Sequence, residues 1–494
     1  MAHTRSQLEG VLMSAGIVGY GCYVPPYRIK REEIGKTWGG GGRGELAIPG
    51  TDEDVVTMGV EATGNALRHA QVAPEEIGAL YLASTSPPYA EHSSATIVAD
   101  TCALSPQAER VDLAGSPRAG IGALKMALAA AQDGPTRQLV VASDYRAAGP
   151  GSELEFVLGA AAVAWVVGNQ DCIATIEGSF STSTQLLDRW RGSDERYVRA
   201  YDARFAGEAG YGTALMTAAR GLLKQLAANV ADYTYVVFQD VDGRAHRRVA
   251  SKLGLTSEQY ASTSLFDRVG DTGCSSALLN LAAVLDQAKP GNRILLLSYG
   301  SGIADAVSLT VQPEIETRRA SVLPVGCYLE RTKSLDYLAY AKQVGILKQV
   351  GDPVEMAVPA ASPLFWRGNE ELHRLVGAQC AKCGYINYPP SLRKICIRCG
   401  GTELNKVHLS RTGKIHTYGV NYYMPLPFQS PLPMIIADLD DGSRFVAHGT
   451  EMDPKEMHIG MDVELVLRAI ANERGATVYG YKFRPVLAAR QEVA

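Results

Sequence analysis

The chain lacks a charge excess of either sign: 48 lysines and arginines against 52 aspartates and glutamates leave a net charge of −4 over 494 residues. No basic stripe is present either, so a nucleic-acid partner is not expected. Its N-terminus has no apolar signal core, and no run is long enough to span a membrane, so no membrane partner is expected. Cysteine is scarce, nine residues in all, and Cys22, Cys102, Cys172, Cys274 and Cys327 are scattered without the spacing of a disulfide framework. A reducing, cytoplasmic setting is the expectation. What the chain does have is a hydrophobic content of 46%, ample for the cores of two or three domains.

The remaining four cysteines carry the most specific chemical signal. Cys380 and Cys383, then Cys396 and Cys399, form two Cys-x-x-Cys pairs, with Gly384 and Gly400 directly after them. Such pairs let thiolates and backbone amides wrap one tetrahedral ion, which predicts a closed four-cysteine Zn2+ site over residues 376–404. Four unrelated thiols or a redox pair would not need both spacings and both glycines. Four protein ligands leave no position for water or substrate, so this zinc is structural and any chemistry lies elsewhere.

Before the ribbon, short apolar runs at Leu80–Ala83, Gln138–Ala142, Tyr235–Gln239 and Arg293–Tyr299 alternate with alanine-rich helical stretches, which predicts an α/β core. Two passages echo one another. Arg110-Val111-Asp112 leads through a turn into a small-residue helix, Ala119–Gln132; Arg268-Val269-Gly270 leads through Asp271-Thr272-Gly273-Cys274 into Ser275–Gln287. The echo predicts a duplication with halves at roughly residues 14–170 and 171–350. A linker with a helix follows over roughly 351–375, centred on Val358–Leu364. Beyond the ribbon, Thr417–Met424, Met434–Leu439, Arg444–His448, Val463–Ala469 and Thr477–Phe483 read as five strands of a small OB-type barrel over 405–494.

Ser84-Thr85-Ser86-Pro87-Pro88-Tyr89-Ala90, Thr96-Ile97-Val98-Ala99, Arg204-Phe205-Ala206-Gly207-Glu208 and Ser298-Tyr299-Gly300-Ser301-Gly302 resemble, in order and spacing, the archaeal-type 3-hydroxy-3-methylglutaryl-CoA synthases. The resemblance covers roughly residues 14–350 and implies a duplicated thiolase fold, αβαβα. The C-terminal part resembles the rubredoxin-like zinc ribbon and OB-fold domain that accompanies thiolases, such synthases and steroid side-chain aldolases. Together these imply a CoA thioester as substrate, a homodimer, and association with another thiolase-superfamily or acyl-CoA enzyme as a further partner.

The family's catalytic cysteine, glutamate and histidine are not retained. The cysteine position falls on Pro117, with Ser116 beside it; the glutamate is Thr85; the histidine is Gln239. A thiolate at a helix start is activated by the helix dipole, and a proline there supplies neither nucleophile nor amide proton. Replacement acids or bases are sought in Asp240, Asp242, His246 and Asp271, with Tyr89 and Tyr299 as alkoxide or enolate partners; caps and surface positions explain the same residues without chemistry. Cys274, at the second-half echo of the nucleophile turn, is the rival nucleophile, and packing is the competing explanation for it. Arg244 and Arg247 match cations near the CoA phosphates in the family, Arg248 and Lys252 extend that charge, and Gly300 and Gly302 let backbone approach a thioester.

An aldol cleavage needs a base for the β-hydroxyl and an oxyanion site but no nucleophile, which matches the losses. The expected activity is therefore aldol or retro-aldol chemistry, or retro-Claisen cleavage, on a β-hydroxyacyl- or β-ketoacyl-CoA. A non-catalytic CoA-binding scaffold and a Claisen-type acyltransferase with a displaced nucleophile stand as alternatives.

Overall fold

The apolar runs of the N-terminal part become strands of one sheet. The structure, a computed structural model, describes residues 15–487 except 135, 322, 349–361, 425–427, 429 and 474. Most of the expected linker Val358–Leu364 lies outside the described residues; its end opens a helix, Ser362–Leu372. Contacts divide the chain into two units, the first made of the chain up to Thr51 with Met58–Ala99 and Leu104–Leu347, the second of Asp52–Thr57, Asp100–Ala103 and the chain from Lys348 on.

In the first unit the strands of the main sheet are β1 (Gly16–Tyr23), β2 (Ile77–Ala83), β3 (Glu109–Leu113), β4 (Arg137–Tyr145), β5 (Ala160–Gly168), β6 (Ala174–Ser183), β7 (Tyr235–Phe238), β8 (Arg293–Gly300) and β9 (Ile303–Val311). They lie in the order β7-β8-β9-β6-β1-β5-β4-β2-β3. Within the sheet the two halves join where Gly16 and Ile17 of β1 pair with Thr175 and Ala174 of β6. Outward from that joint each half repeats one scheme, two antiparallel pairings followed by a parallel one: β1-β5-β4-β2 mirrors β6-β9-β8-β7. This is the duplication that the echo predicts.

One part of the echo differs. Arg110–Asp112 lies in β3, but its counterpart folds as a helical turn, Phe266–Val269, so the second half carries one strand fewer. Asp271 retains only an isolated bridge, to Leu158.

Helices α1 (Ala119–Ala130) and α4 (Ser276–Leu285) touch each other and together contact both halves of the sheet, while α2 (Thr213–Gln225) covers the second half from outside, against β6, β8 and β9. Between α2 and α4 in sequence lies α3 (Ala245–Leu253). Small residues suit central helices covered on several sides, and eight of the twelve residues of α1 are buried. The strands facing them are equally apolar: Leu295, Leu296 and Leu297 are fully buried, each worth roughly 1.5–3 kcal/mol of removed apolar surface.

The second unit holds a three-stranded sheet, Ile386–Asn387, Val376–Cys380 and Leu404–His408, and a five-stranded one. The five strands, Thr412–Asn421, Leu432–Leu439, Arg444–His448, Asp462–Glu473 and Ala476–Pro485, match the expected number. The first begins earlier than Thr417 and stops short of Met424. Gly449 bridges Phe483 across the open side and closes the barrel around Ile435, Ala437, Val463 and Phe483.

Candidate active site and zinc ribbon

The four ribbon cysteines converge. Their sulfurs lie within 4.8 Å of one another, with Cys380 and Cys399 at 3.6 Å and Cys383 and Cys396 at 3.6 Å. A ZnS4 tetrahedron with Zn–S near 2.3 Å has edges of about 3.8 Å, so the set fits one zinc ion. The glycines explain themselves: Gly384 and Gly400 adopt φ of 72° and 70°, and their amides donate to the carbonyls of Cys380 and Cys396 at 2.9 Å. Zinc would be held there by thiolates alone, as a structural ion.

In the first unit a cleft of about 140 Å³ opens beside the end of β8. Pro117, Gln239, Asp242, Tyr299 and Gly300, all singled out in the sequence, line it. Asp271 lines it too, with Asp188, Arg189 and Glu153. Its apolar wall comes from Leu154, Val157, Ala200, Ala206 and Val241.

Tyr299 sits at the end of an apolar strand, and its hydroxyl donates to Asp188 Oδ2 at 2.8 Å while accepting from the amide of Gly302 at 3.3 Å. Burial, then the neighbouring Asp188 carboxylate, pushes the phenol well above its usual range, so it stays protonated at neutral pH. The segment Ala206–Gly212 is a π-helical bulge, and a methyl group on Gly210 would stand 2.6 Å from the Tyr299 hydroxyl. Only a glycine lets that bulge lie against the phenol. Asp271 is clamped by Arg146 at 2.6 Å and Arg189 at 2.7 Å, and Arg189 also donates to the carbonyl of Val241.

The positions of the lost triad are structurally occupied. Gln239 is buried, donating to the carbonyl of Gly273 and accepting from Ser298. Thr85 donates through both its amide and its hydroxyl to Asp144, a buried carboxylate that also receives Ser84, Ser86 and the amide of Cys274. Ser116 accepts from the amide of Arg118 and packs so near Gly300 that a methyl there would stand 2.5 Å from its oxygen.

Several expected groups lie off the cleft. Asp240 is buried between Ser264 and Asn280, and burial raises its carboxyl to about 6. His246 lines a separate recess of about 320 Å³ with Arg247, and burial lowers its pKa. Asp242 does line the cleft, but its carboxylate already accepts the amides of Arg244 and Ala245 at the start of α3. Cys274, for which packing competes with a nucleophile's role, is buried, and its thiol is pushed above the usual range, first by desolvation and then by Asp144, which opposes formation of a thiolate there. Arg244, Arg247, Arg248 and Lys252 form an exposed cationic face of α3, and Arg248 reaches to 3.1 Å from where a Gly207 methyl would stand, at the cleft wall. Gly302, with φ of 77°, closes the turn behind Tyr299.

Sequence reasoning missed Asp188, Arg189, Arg146 and Asp144. For Asp144 and Arg146 a signal existed, since charged residues closing an apolar strand, as at Ser143-Asp144-Tyr145-Arg146, often point into a site. Asp188 and Arg189 come from an irregular stretch with no comparable mark.

The comparisons agree with this architecture. Residues 223–310 match the family model of the 3-oxoacyl-[acyl-carrier-protein] synthase III C-terminal domain. Residues 371–405 match the ChsH2 rubredoxin-like zinc ribbon, and residues 406–468 the ChsH2 C-terminal OB-fold domain. The hydroxymethylglutaryl-CoA synthase of Pyrococcus horikoshii is 38% identical over 337 residues, 67% of this chain and 96% of that protein. The one from Methanopyrus kandleri is 39% identical, over 67% of this chain and 98% of that protein. Among solved structures, MvaS in complex with 3-hydroxy-3-methylglutaryl coenzyme A superposes with a TM-score of 0.62 at 22% identity, over 70% of this chain and 94% of that one. The likeness supports the thiolase fold read from the sheet. With two thirds of its length matched to these synthases, and with a zinc ribbon and OB-fold domain after that part, the chain belongs to the hydroxymethylglutaryl-CoA synthase family of the thiolase superfamily.

Proposed function

We propose that the protein is an acyl-CoA carbon–carbon bond enzyme that works without an acyl-cysteine, by aldol or retro-aldol chemistry on a β-hydroxyacyl-CoA. The observation that carries this reading is the Tyr299–Asp188 pair on the wall of a cleft whose nucleophile position is Pro117. In the cleaving direction the β-hydroxyl gives its proton to the Tyr299 oxygen as the phenol passes its own proton to Asp188. The Cα–Cβ electron pair moves into the thioester to form an enolate, and the β-carbon becomes a carbonyl. The backbone of Gly300 and Ser301, which lines the same cleft, is assigned to the enolate oxygen. In the condensing direction the protonated phenol returns a proton to the new alkoxide. The cations of α3 are assigned to the CoA phosphates, as guanidinium forks suit phosphate oxygens.

A Claisen condensation through an acyl-enzyme is disfavoured by the absence of a thiolate in the cleft and the suppressed thiol of Cys274. Retro-Claisen attack by water or free CoA remains a second outcome for the same site. The test is a panel of β-hydroxyacyl- and β-ketoacyl-CoA thioesters, followed by release of aldehyde, ketone or carboxylate. Tyr299→Phe and Asp188→Asn should each lower turnover by roughly 10²–10⁴-fold while leaving CoA affinity near that of the parent protein. An acyl adduct on the intact protein, or undiminished turnover in both variants, would sink the reading.

A further inference from the structure

The electrostatics of the cleft bear on which acyl group it accepts. Four carboxylates line it, those of Glu153, Asp188, Asp242 and Asp271. The guanidinium that lines it, Arg189, is committed: one nitrogen to Asp271 at 2.7 Å, the other to the carbonyl of Val241 at 2.8 Å. Arg146 stands behind on the other oxygen of Asp271, with its side chain only 5% exposed. Among the described lining residues no cation is left to meet an incoming anion. A carboxylate entering here would shed water, find no free cation in exchange and face like charge.

A cationic group fares no better. Asp188 accepts from Tyr299 and from the Arg189 amide, Asp271 is paired twice, and Asp242 already accepts two amides of α3. Glu153 and Asp242 are exposed, where an ion pair with a substrate would be weak. The surface left for the acyl group is the apolar wall of Leu154, Val157, Ala200, Ala206 and Val241.

Resting on the acyl-CoA reading above, we propose that this cleft takes an uncharged hydrocarbon acyl group and rejects acyl groups that end in a carboxylate, including the 3-hydroxy-3-methylglutaryl group after which the relatives are named. The experiment uses the full chain and three CoA thioesters that share a 3-hydroxy-3-methylacyl core and end in a branched alkyl group, a carboxylate or an ammonium. Dissociation constants come from calorimetry, and cleavage is followed in parallel. The alkyl thioester should bind at least about tenfold more tightly than either charged one. A folded Asp271→Asn protein, which releases Arg189, should narrow the margin against the carboxylate; an unchanged margin overturns the assignment to Arg189. Preferential binding of the alkyl thioester without cleavage of any would keep this inference and remove the retro-aldol reading. Equal or tighter binding of the carboxylate or ammonium thioester by the parent protein overturns the inference, whether or not cleavage occurs.

Discussion

Asp240 accepts hydrogen bonds from Ser264 and Asn280 in a buried pocket, and desolvation nevertheless lifts its carboxyl to about 6. The unfolded value is near 3.9, so the native state holds a proton that the unfolded state releases between roughly pH 4 and 6. The resulting stability is complete below about pH 4 and is lost as the pH rises through 6, on the order of 3 kcal/mol in all. Urea denaturation from pH 4 to 7.5 should show this decline in the parent protein and a flatter profile in Asp240→Asn. Cys274 yields a second prediction at the same scale. With its thiol pushed up by burial and Asp144, acetyl-CoA should leave no adduct on the intact protein by mass spectrometry, and Cys274→Ser should keep its turnover within a few-fold.

Among elements, the π-helical bulge Ala206–Gly212 is what brings backbone against the Tyr299 hydroxyl. Gly210→Ala should displace that phenol from Asp188 and lower turnover by at least about tenfold, with the thermal midpoint falling much less than for a core cavity; a variant with unchanged turnover would show the bulge to be incidental. The ribbon is the other element whose existence depends on one interaction. Its three strands are short, so thiolate–zinc bonds supply much of its stability. Cys396→Ala should lose the zinc by metal analysis and expose the region from 376 to protease while the thiolase-fold part stays resistant.

For the whole molecule, strand β3 ends the nine-stranded sheet, with no strand on its outer side among the described residues. An open edge invites pairing with a second chain, and the family resemblance implies the same assembly. Sedimentation at micromolar concentration should give about twice the 52.9 kDa of one chain; a stable monomer would contradict it.

The sequence by itself determined the elements whose cause is local. Two Cys-x-x-Cys-Gly stretches specify the ribbon because ligand spacing and left-handed glycines are short-range requirements, and period-two apolar runs specify the barrel strands. The duplication was legible from the paired small-residue helices, and the loss of the family triad from motifs around Thr85, Pro117 and Gln239. Tertiary structure alone brought together the charged groups of the cleft. Asp188 and Tyr299 are 111 positions apart, and Arg146, Arg189 and Asp271 come from three separate stretches, so no local pattern marks their meeting. It likewise separated Asp240 and His246 from the cleft although Asp242 lines it, because the chain turns into a helix at that point and sends neighbouring side chains to different surfaces. Burial then set their chemistry: solvent exposure is a property of the fold, and the same thiol that a helix start would activate at a surface is silenced at Cys274 by the loss of water around it.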